Sequence, residues 1–161
     1  GAATGANGDR GMKTYNEHEH QVALILWAFR QKLPQGTDVE PGSRVGDYLL
    51  AIPNGGKRNA REAGRLRAEG VKPGVSDLLL PLRRHGYAGL WIELKAPGQR
   101  PTELQQSWLD RMTLAGYLAE WHDDWRAAAD VIRTYVGLQS AQPILAPMTT
   151  VPELCKRSSP N

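Results

Sequence analysis

Between residues 90 and 121 the chain carries an apolar strand, a capped amphipathic helix and a second apolar strand, joined with almost no loop. No other stretch limits the fold so tightly. Residues 90–96 and 117–121 have the length and apolar content of buried strands, Thr102 is placed to cap the helix between them, and Gly116 to stop it. Along that helix Leu104, Trp108, Met112 and Ala115 share one face. A strand, a helix and a strand on such short joints form a right-handed crossover, which makes the two strands parallel neighbours in one sheet. The chain is therefore expected to be α/β.

The remaining elements arrange themselves around this unit. Val22, Ile25, Leu26 and Phe29 follow helical three-and-four spacing and predict a first helix over residues 17–31, with Pro34 just beyond it. Residues 36–46 read as a loop, and residues 48–52 as a short strand ended by Pro53-Asn54-Gly55-Gly56. A basic segment, helical over residues 59–68, closes in a turn at 70–74. Strands over 77–82 and 90–96 are joined by Arg83-Arg84-His85-Gly86, which has the length and glycine of a hairpin loop. Asp123 or Asp124 caps a last helix with Trp125, Ala128, Ala129, Ile132 and Tyr135 inward and Gly137 after it. The order is α-β-β-β-α-β-α, a mixed central sheet flanked by helices.

Composition confines the chain to one ordinary domain. Its 161 residues, 40% hydrophobic and 23% charged, suffice for a core of their own. We expect a flexible start over residues 1–16, the domain over 17–136, and a proline-rich extended tail over 137–161. No apolar run is long enough to cross a bilayer and residues 1–11 show no signal-peptide pattern, so a soluble, intracellular protein without a membrane partner is expected. The single cysteine, Cys155, excludes an intrachain disulfide and a cysteine-based zinc site.

Two of the central strands carry charges that a buried strand does not tolerate without a reason. Asp77 opens the Leu78-Leu79-Leu80 run, and Glu93 and Lys95 interrupt Trp91-Ile92-Glu93-Leu94-Lys95-Ala96. Side chains alternate across a strand, so Glu93 and Lys95 project from one face while Leu94 points into the other. Buried charges are paired or bound to a metal. With Asp77 at the start of the neighbouring strand, two carboxylates can hold a hard divalent cation and the lysine can reach an attacking water or a scissile phosphate. The structural alternative is an ion pair of Lys95 with Glu93 or Asp77.

The net charge of +3 is unevenly spread. Residues 54–72 carry Lys57, Arg58, Arg61, Arg65, Arg67 and Lys72 against Glu62 and Glu69, whereas residues 101–136 carry six acids against three arginines. Lys57, Arg61 and Arg65 are four apart, so on a helix they form a cationic stripe suited to a phosphate backbone, or simply a solvated face.

Ile52-Pro53-Asn54-Gly55-Gly56, Gly70-Val71-Lys72-Pro73-Gly74-Val75-Ser76-Asp77, Ile92-Glu93-Leu94-Lys95-Ala96, and Thr102-Glu103-Leu104-Gln105 followed by Ala115-Gly116-Tyr117 together resemble the VRR-NUC family of the PD-(D/E)XK nuclease superfamily, in its stand-alone phage or bacterial form. The resemblance spans residues 17–136 and implies a restriction-endonuclease-like core. It also implies a set of roles. Asp77, Glu93 and the backbone carbonyl of Leu94 would be metal ligands, and Lys95 would orient or help deprotonate the nucleophilic water. Glu19 matches the acidic residue two before the glutamine of the first helix, here Gln21, with Glu17 as the alternative ligand. Gln105 matches the glutamine after the fourth motif, and Thr102-x-x-Gln105 is also a capping box, two roles that are compatible. Ser76 stands where the family most often has proline.

An all-oxygen ligand set favours Mg²⁺ or Mn²⁺. The resemblance implies in-line hydrolysis leaving a 5′ phosphate, and, for members made of this domain alone, a homodimer that resolves four-way (Holliday) DNA junctions during replication or repair. A bacterial cytoplasm or phage-infected cell is its implied location. A flap or nicking nuclease, or a non-catalytic nucleic-acid-binding module, are the alternatives. DNA contacts are expected at Asn54, Lys57, Arg58, Arg61 and Arg65. Glu17-His18-Glu19-His20 is not a zinc motif, because histidines two apart on a helix face different ways, and both are expected at the surface.

Overall fold

A computed structural model describes residues 14–36, 38–53 and 60–138. The expected flexible start and the extended tail therefore fall, apart from residues 14–16, 137 and 138, outside the described residues, as do Asn54, Lys57 and Arg58. The elements in order are α1 (Glu17–Ala28), α2 (Val45–Tyr48), β1 (Leu50–Ala51), α3 (Ala60–Ala68), β2 (Leu78–Leu80), β3 (Leu90–Leu94), α4 (Glu103–Leu114), β4 (Leu118–His122) and α5 (Trp125–Val136). The sheet runs β1-β2-β3-β4, antiparallel except for the parallel pair β3 and β4. This is the mixed α/β architecture and the crossover that the sequence predicts.

Local chemistry accounts for most boundaries. Thr102 and Gln105 close a capping box at the start of α4, Asp124 caps α5, and Gly137, at φ 75°, ends α5 in the left-handed conformation that glycine adopts without cost. The hairpin turn falls on His85 and Gly86, with φ of 52° and 85°, between the mutually hydrogen-bonded Arg84 and Tyr87. Tyr135 of α5 anchors this connection by donating its hydroxyl to the Leu82 carbonyl at 2.7 Å. Burial pushes that phenol up to about 12.

Some expectations need correction. Residues 45–48 form a helical turn rather than loop and strand, because Asp47 accepts from the Arg44 amide at 2.7 Å, a local helix-start contact that hydrophobic spacing does not reveal. The first strand shrinks to two exposed residues, β2 and β3 are each shorter than expected, and α1 stops at Ala28 rather than Gln31.

The face of α1 is also rotated from the expected one. Its buried residues are His20, Leu24 and Ala28, while Val22, Leu26 and Phe29 are 43%, 56% and 49% exposed. A helix apolar on two sides does not tell, from spacing alone, which side meets the sheet. His20 is accordingly not at the surface: it stacks on Tyr15, and its Nδ1 accepts from the Trp125 amide at 3.1 Å, tying the start of α1 to the start of α5.

Two layers of helices cover the sheet. Leu90, Ile92 and Leu94 join Leu24, Ala28, Ala128, Ile132 and Tyr135 in the core under α1 and α5. On the other side Trp91 meets Trp108 of α4 edge to face, at 5.4 Å between ring centres. No helix among the described residues is long and apolar enough to cross a membrane.

Candidate active site

Alternation along β3 aims Glu93 at the α4 side while its neighbours Ile92 and Leu94 enter the core. Asp77 lies one step beyond the Leu78–Ile92 pair of the antiparallel ladder, so the fold carries it across from Glu93. Its Oδ2 accepts from the Leu94 amide at 2.8 Å, which ties the entry of β2 to the exit of β3. Lys95 leaves the strand but is still held by its own amide, which donates to the His122 carbonyl at 2.8 Å. Three sequence-predicted residues, Asp77, Glu93 and Lys95, thus share one end of the sheet, and the Leu94 backbone lies between them.

Two helices complete the cluster. From α4, Gln105 Nε2 donates to Glu93 Oε1 in a short contact, and the Gln105 oxygen accepts from the Thr102 amide at 2.9 Å. Gln105 thus closes the expected capping box and reaches Glu93 at the same time. From α1, Glu17 Oε2 lies 3.3 Å from Lys95 Nζ, and the ammonium stands 2.7 Å from Glu93 Oε1.

The helix-borne acid that the structure brings to the cluster is therefore Glu17. Glu19 closes the capping box of α1, its Oε2 accepting from the Asn16 amide at 3.0 Å. The reason is the rotated face: Glu17, His20, Leu24 and Ala28 are three or four apart and form one stripe against the sheet. Spacing counted from His20 singles out Glu17; spacing counted from Val22 points to Glu19.

Gly74 sets the approach of the loop that carries Asp77. It has φ 78°, and a Cβ there would lie 2.7 Å from the backbone of Leu104. Only a glycine lets that loop touch the first turn of α4, where Gln105 sits. Ser76 is fully buried and its Oγ has no hydrogen-bond partner among the described residues.

The electrostatics are those of a crowded, negative, partly dry site. Glu93 is completely buried, and burial is the main reason that its carboxyl is pushed up to about 7, with Asp77 adding to the rise and Lys95 opposing it. Burial likewise raises Asp77, against the Leu94 amide and Lys95. For Lys95 burial works downward, but the sum of Glu93, Glu17 and Asp77 wins and the ammonium is held above its ordinary value. Three acids face one cation, so the cluster has room for a second positive charge.

The donor set can be tested against a divalent ion. Among the described residues no group of three His, Cys, Asp or Glu is placed to hold a metal ion by itself, and the Lys95 ammonium lies 2.7 Å from Glu93 and 3.3 Å from Glu17. Mg²⁺ does not need such a group: it keeps several waters and takes one or two carboxylates. Glu93 Oε2 is buried without a partner among the described residues, an arrangement that is costly unless something binds there. Asp77, Glu93 and the Leu94 carbonyl, all oxygen donors, fit the ion, with Glu17 within reach of the same ammonium.

The expected DNA contacts are only partly within view. Arg61 and Arg65 are exposed on α3, a helix in which no described side chain is buried. Arg65 pairs with Glu69 at 2.9 Å, an exposed contact that DNA could displace at little cost.

Comparison with known proteins gives the family. The model of the VRR-NUC domain matches residues 20–122, and the chain belongs to that family. A solved structure described as a VRR_NUC domain protein is 28% identical, with a TM-score of 0.65, over 80% of this chain and 93% of its own. No curated protein matches. The domain is of nuclease type, DNA is the substrate class it implies, and nucleases of the family generally use divalent metals.

Proposed function

We propose that the chain is a divalent-metal-dependent, structure-selective DNA endonuclease acting on branched DNA, with the four-way junction as its preferred form. The observation that carries the reading is the buried Glu93, flanked by Asp77 and Lys95 at the sheet end and left with one oxygen unpartnered. Asp77, Glu93 and the Leu94 carbonyl would hold Mg²⁺ or Mn²⁺. The bound ion would polarise the scissile phosphate and lower the pKa of a water beside it. Lys95, beside Glu93 and Glu17, would orient the attacking water, and Gln105 steadies Glu93 through Oε1. Arg61 and Arg65 supply backbone contacts on the exposed α3.

Two symmetric cuts across a junction require two sites in fixed relation, which an isologous homodimer supplies. The exposed apolar row of Val22 and Leu26 on α1 and Phe29 just after it supports self-association. Cleavage of linear duplex, single-strand, flap and four-way DNA with Mg²⁺ or Mn²⁺ tests the proposal, and failure to cut any of them overturns it. A chain that is monomeric both free and bound to a junction, as read by light scattering, loses the resolvase part and retreats to flap cutting or nicking. The ion pairs of Lys95 favour a second reading, a non-catalytic DNA-binding module, which the same panel separates as binding without cleavage.

A further inference from the structure

Gln105 presents two different atoms to two different partners. Its oxygen accepts from the Thr102 amide at 2.9 Å and from the Thr102 hydroxyl at 3.1 Å, and its nitrogen donates to Glu93 Oε1. The two ends of a carboxamide are nearly identical in shape, yet the end that faces Glu93 decides the sign of the contact: an NH₂ attracts a carboxylate and an oxygen repels it. Thr102 settles which end that is. A backbone amide can only donate, so the atom before it must be the oxygen. The hydroxyl accepts from the Gln105 amide at 3.4 Å and turns its own proton to the same oxygen.

A cap serving only the helix would not require that proton. Asp, Asn and Gly at this position satisfy a helix start nearly as well as Ser or Thr. We propose that Thr102 is a positioning residue of the site, its amide and hydroxyl together locking the Gln105 carboxamide with nitrogen toward Glu93. Oε1 is thereby pinned, and Oε2, buried and unpartnered, becomes the atom offered to a divalent cation. The last step rests on the metal-dependent nuclease reading above. The first does not, because the orientation of Gln105 is a property of the metal-free protein.

The experiment uses the full chain and two readouts. In the metal-free protein the Gln105 side-chain amide is followed by ¹⁵N NMR, assigned by its loss in Gln105→Leu; in parallel, binding of Mn²⁺ alone is measured by calorimetry. Thr102→Ser keeps both the cap and the proton and should match the wild type in both. Thr102→Gly keeps the cap nearly as strong but removes the hydroxyl. It should shift and broaden the Gln105 amide signals and weaken Mn²⁺ binding about tenfold, the usual scale for loss of an outer-sphere partner. Thr102→Asp, an equally good cap with no proton to give, should disturb the same amide signals, which keeps the test decisive if the glycine variant melts. Unchanged amide signals in Thr102→Gly and Thr102→Asp overturn the proposal and leave Thr102 a helix cap. Failure of the wild type to bind Mn²⁺ would instead sink the nuclease reading, with the amide signals still deciding the role of Thr102.

Discussion

The two faces of β3 are equally buried and do opposite things. On one, Leu90, Ile92 and Leu94 pack into the hydrophobic core with Leu24 and Ala28 of α1 and Ala128, Ile132 and Tyr135 of α5. On the other, Trp91, Glu93 and Lys95 are buried as well, yet Trp91 Nε1 and Glu93 Oε2 lack partners among the described residues, and Trp108 Nε1 across from them lacks one too. Burial as such therefore does not distinguish core from site. The difference lies in the side chains that β3 and Lys95 contribute: those of the first face are wholly apolar and hold the sheet together, and those of the second include a buried carboxylate whose cost a ligand can offset.

Adjacent substitutions should separate the faces most sharply. Glu93→Gln or Asp77→Asn should reduce metal-dependent cleavage by roughly 10²-fold to 10³-fold or more, the scale of losing one group that stabilises transition-state charge, with the melting temperature maintained or raised. Ile92→Ala should do the reverse and cost about 2–5 kcal/mol of stability through the cavity it opens. Cleavage assays and urea titrations on the variants are the check. An Ile92 variant as stable as wild type, or active variants at both carboxylates, would erase the contrast.

A pH titration of the metal-free protein sharpens it further. The Glu93 carboxyl is raised to about 7 from an ordinary 4.5, so between those values the folded state binds more protons than the unfolded. Stability contributed by this group is then greatest below pH 4.5 and falls as pH rises to about 7, by a few kcal/mol at roughly 1.4 kcal/mol per pH unit. Asp77, raised by burial, works in the same direction. Lys95, raised above 10.5, contributes stability that is lost only at still higher pH and does not enter this window. Melting curves in chelator from pH 5 to pH 8 should show Glu93→Gln gaining on wild type as pH rises. Parallel curves would mean that Glu93 is not strained in the metal-free site.

The basic helix is the third term of the comparison, exposed where β3 is buried. Replacing Arg61 and Arg65 by glutamine should weaken DNA binding and reduce the slope of log affinity against log salt by up to about two, one for each phosphate no longer neutralised, without altering Mn²⁺ binding. An unchanged slope returns α3 to the status of a solvated surface.

How much of this is legible in the sequence depends on whether local pattern or tertiary context decides. The crossover β3, α4, β4 is legible because its caps, stops and strand lengths are local, and Glu93 and Lys95 stand out because charge inside an apolar strand is a local contradiction. Asp77 can be placed because it opens the strand next door. The choice between Glu17 and Glu19 is not local. It turns on which apolar side of α1 meets the sheet, and Leu24 with Ala28 wins over Val22 with Leu26 only through packing against α5 and β3. The burial of His20 is hidden for the same reason, since its partner, the Trp125 amide, is 105 residues away. The two-residue β1 likewise has both side chains exposed and so no buried alternation to announce it.

The smallest expected effect asks whether every buried unsatisfied group near the site has a use. Ser76 Oγ and Glu93 Oε2 are alike in being buried without a partner among the described residues. They differ in position: Glu93 lies beside Lys95 and Gln105, whereas Ser76 stands one residue before Asp77, in the loop that Gly74 presses against α4. Where a ligand takes up the cost, deleting the group abolishes function; where nothing does, deleting it should be favourable. Ser76→Ala removes a buried hydroxyl without changing backbone or volume much, and should stabilise the protein by about 1 kcal/mol, or roughly 2–4 °C in melting temperature, with cleavage unaltered. Loss of activity in Ser76→Ala with the fold intact would show instead that the hydroxyl belongs to the site, and that a buried orphan near this end of the sheet should be read as functional.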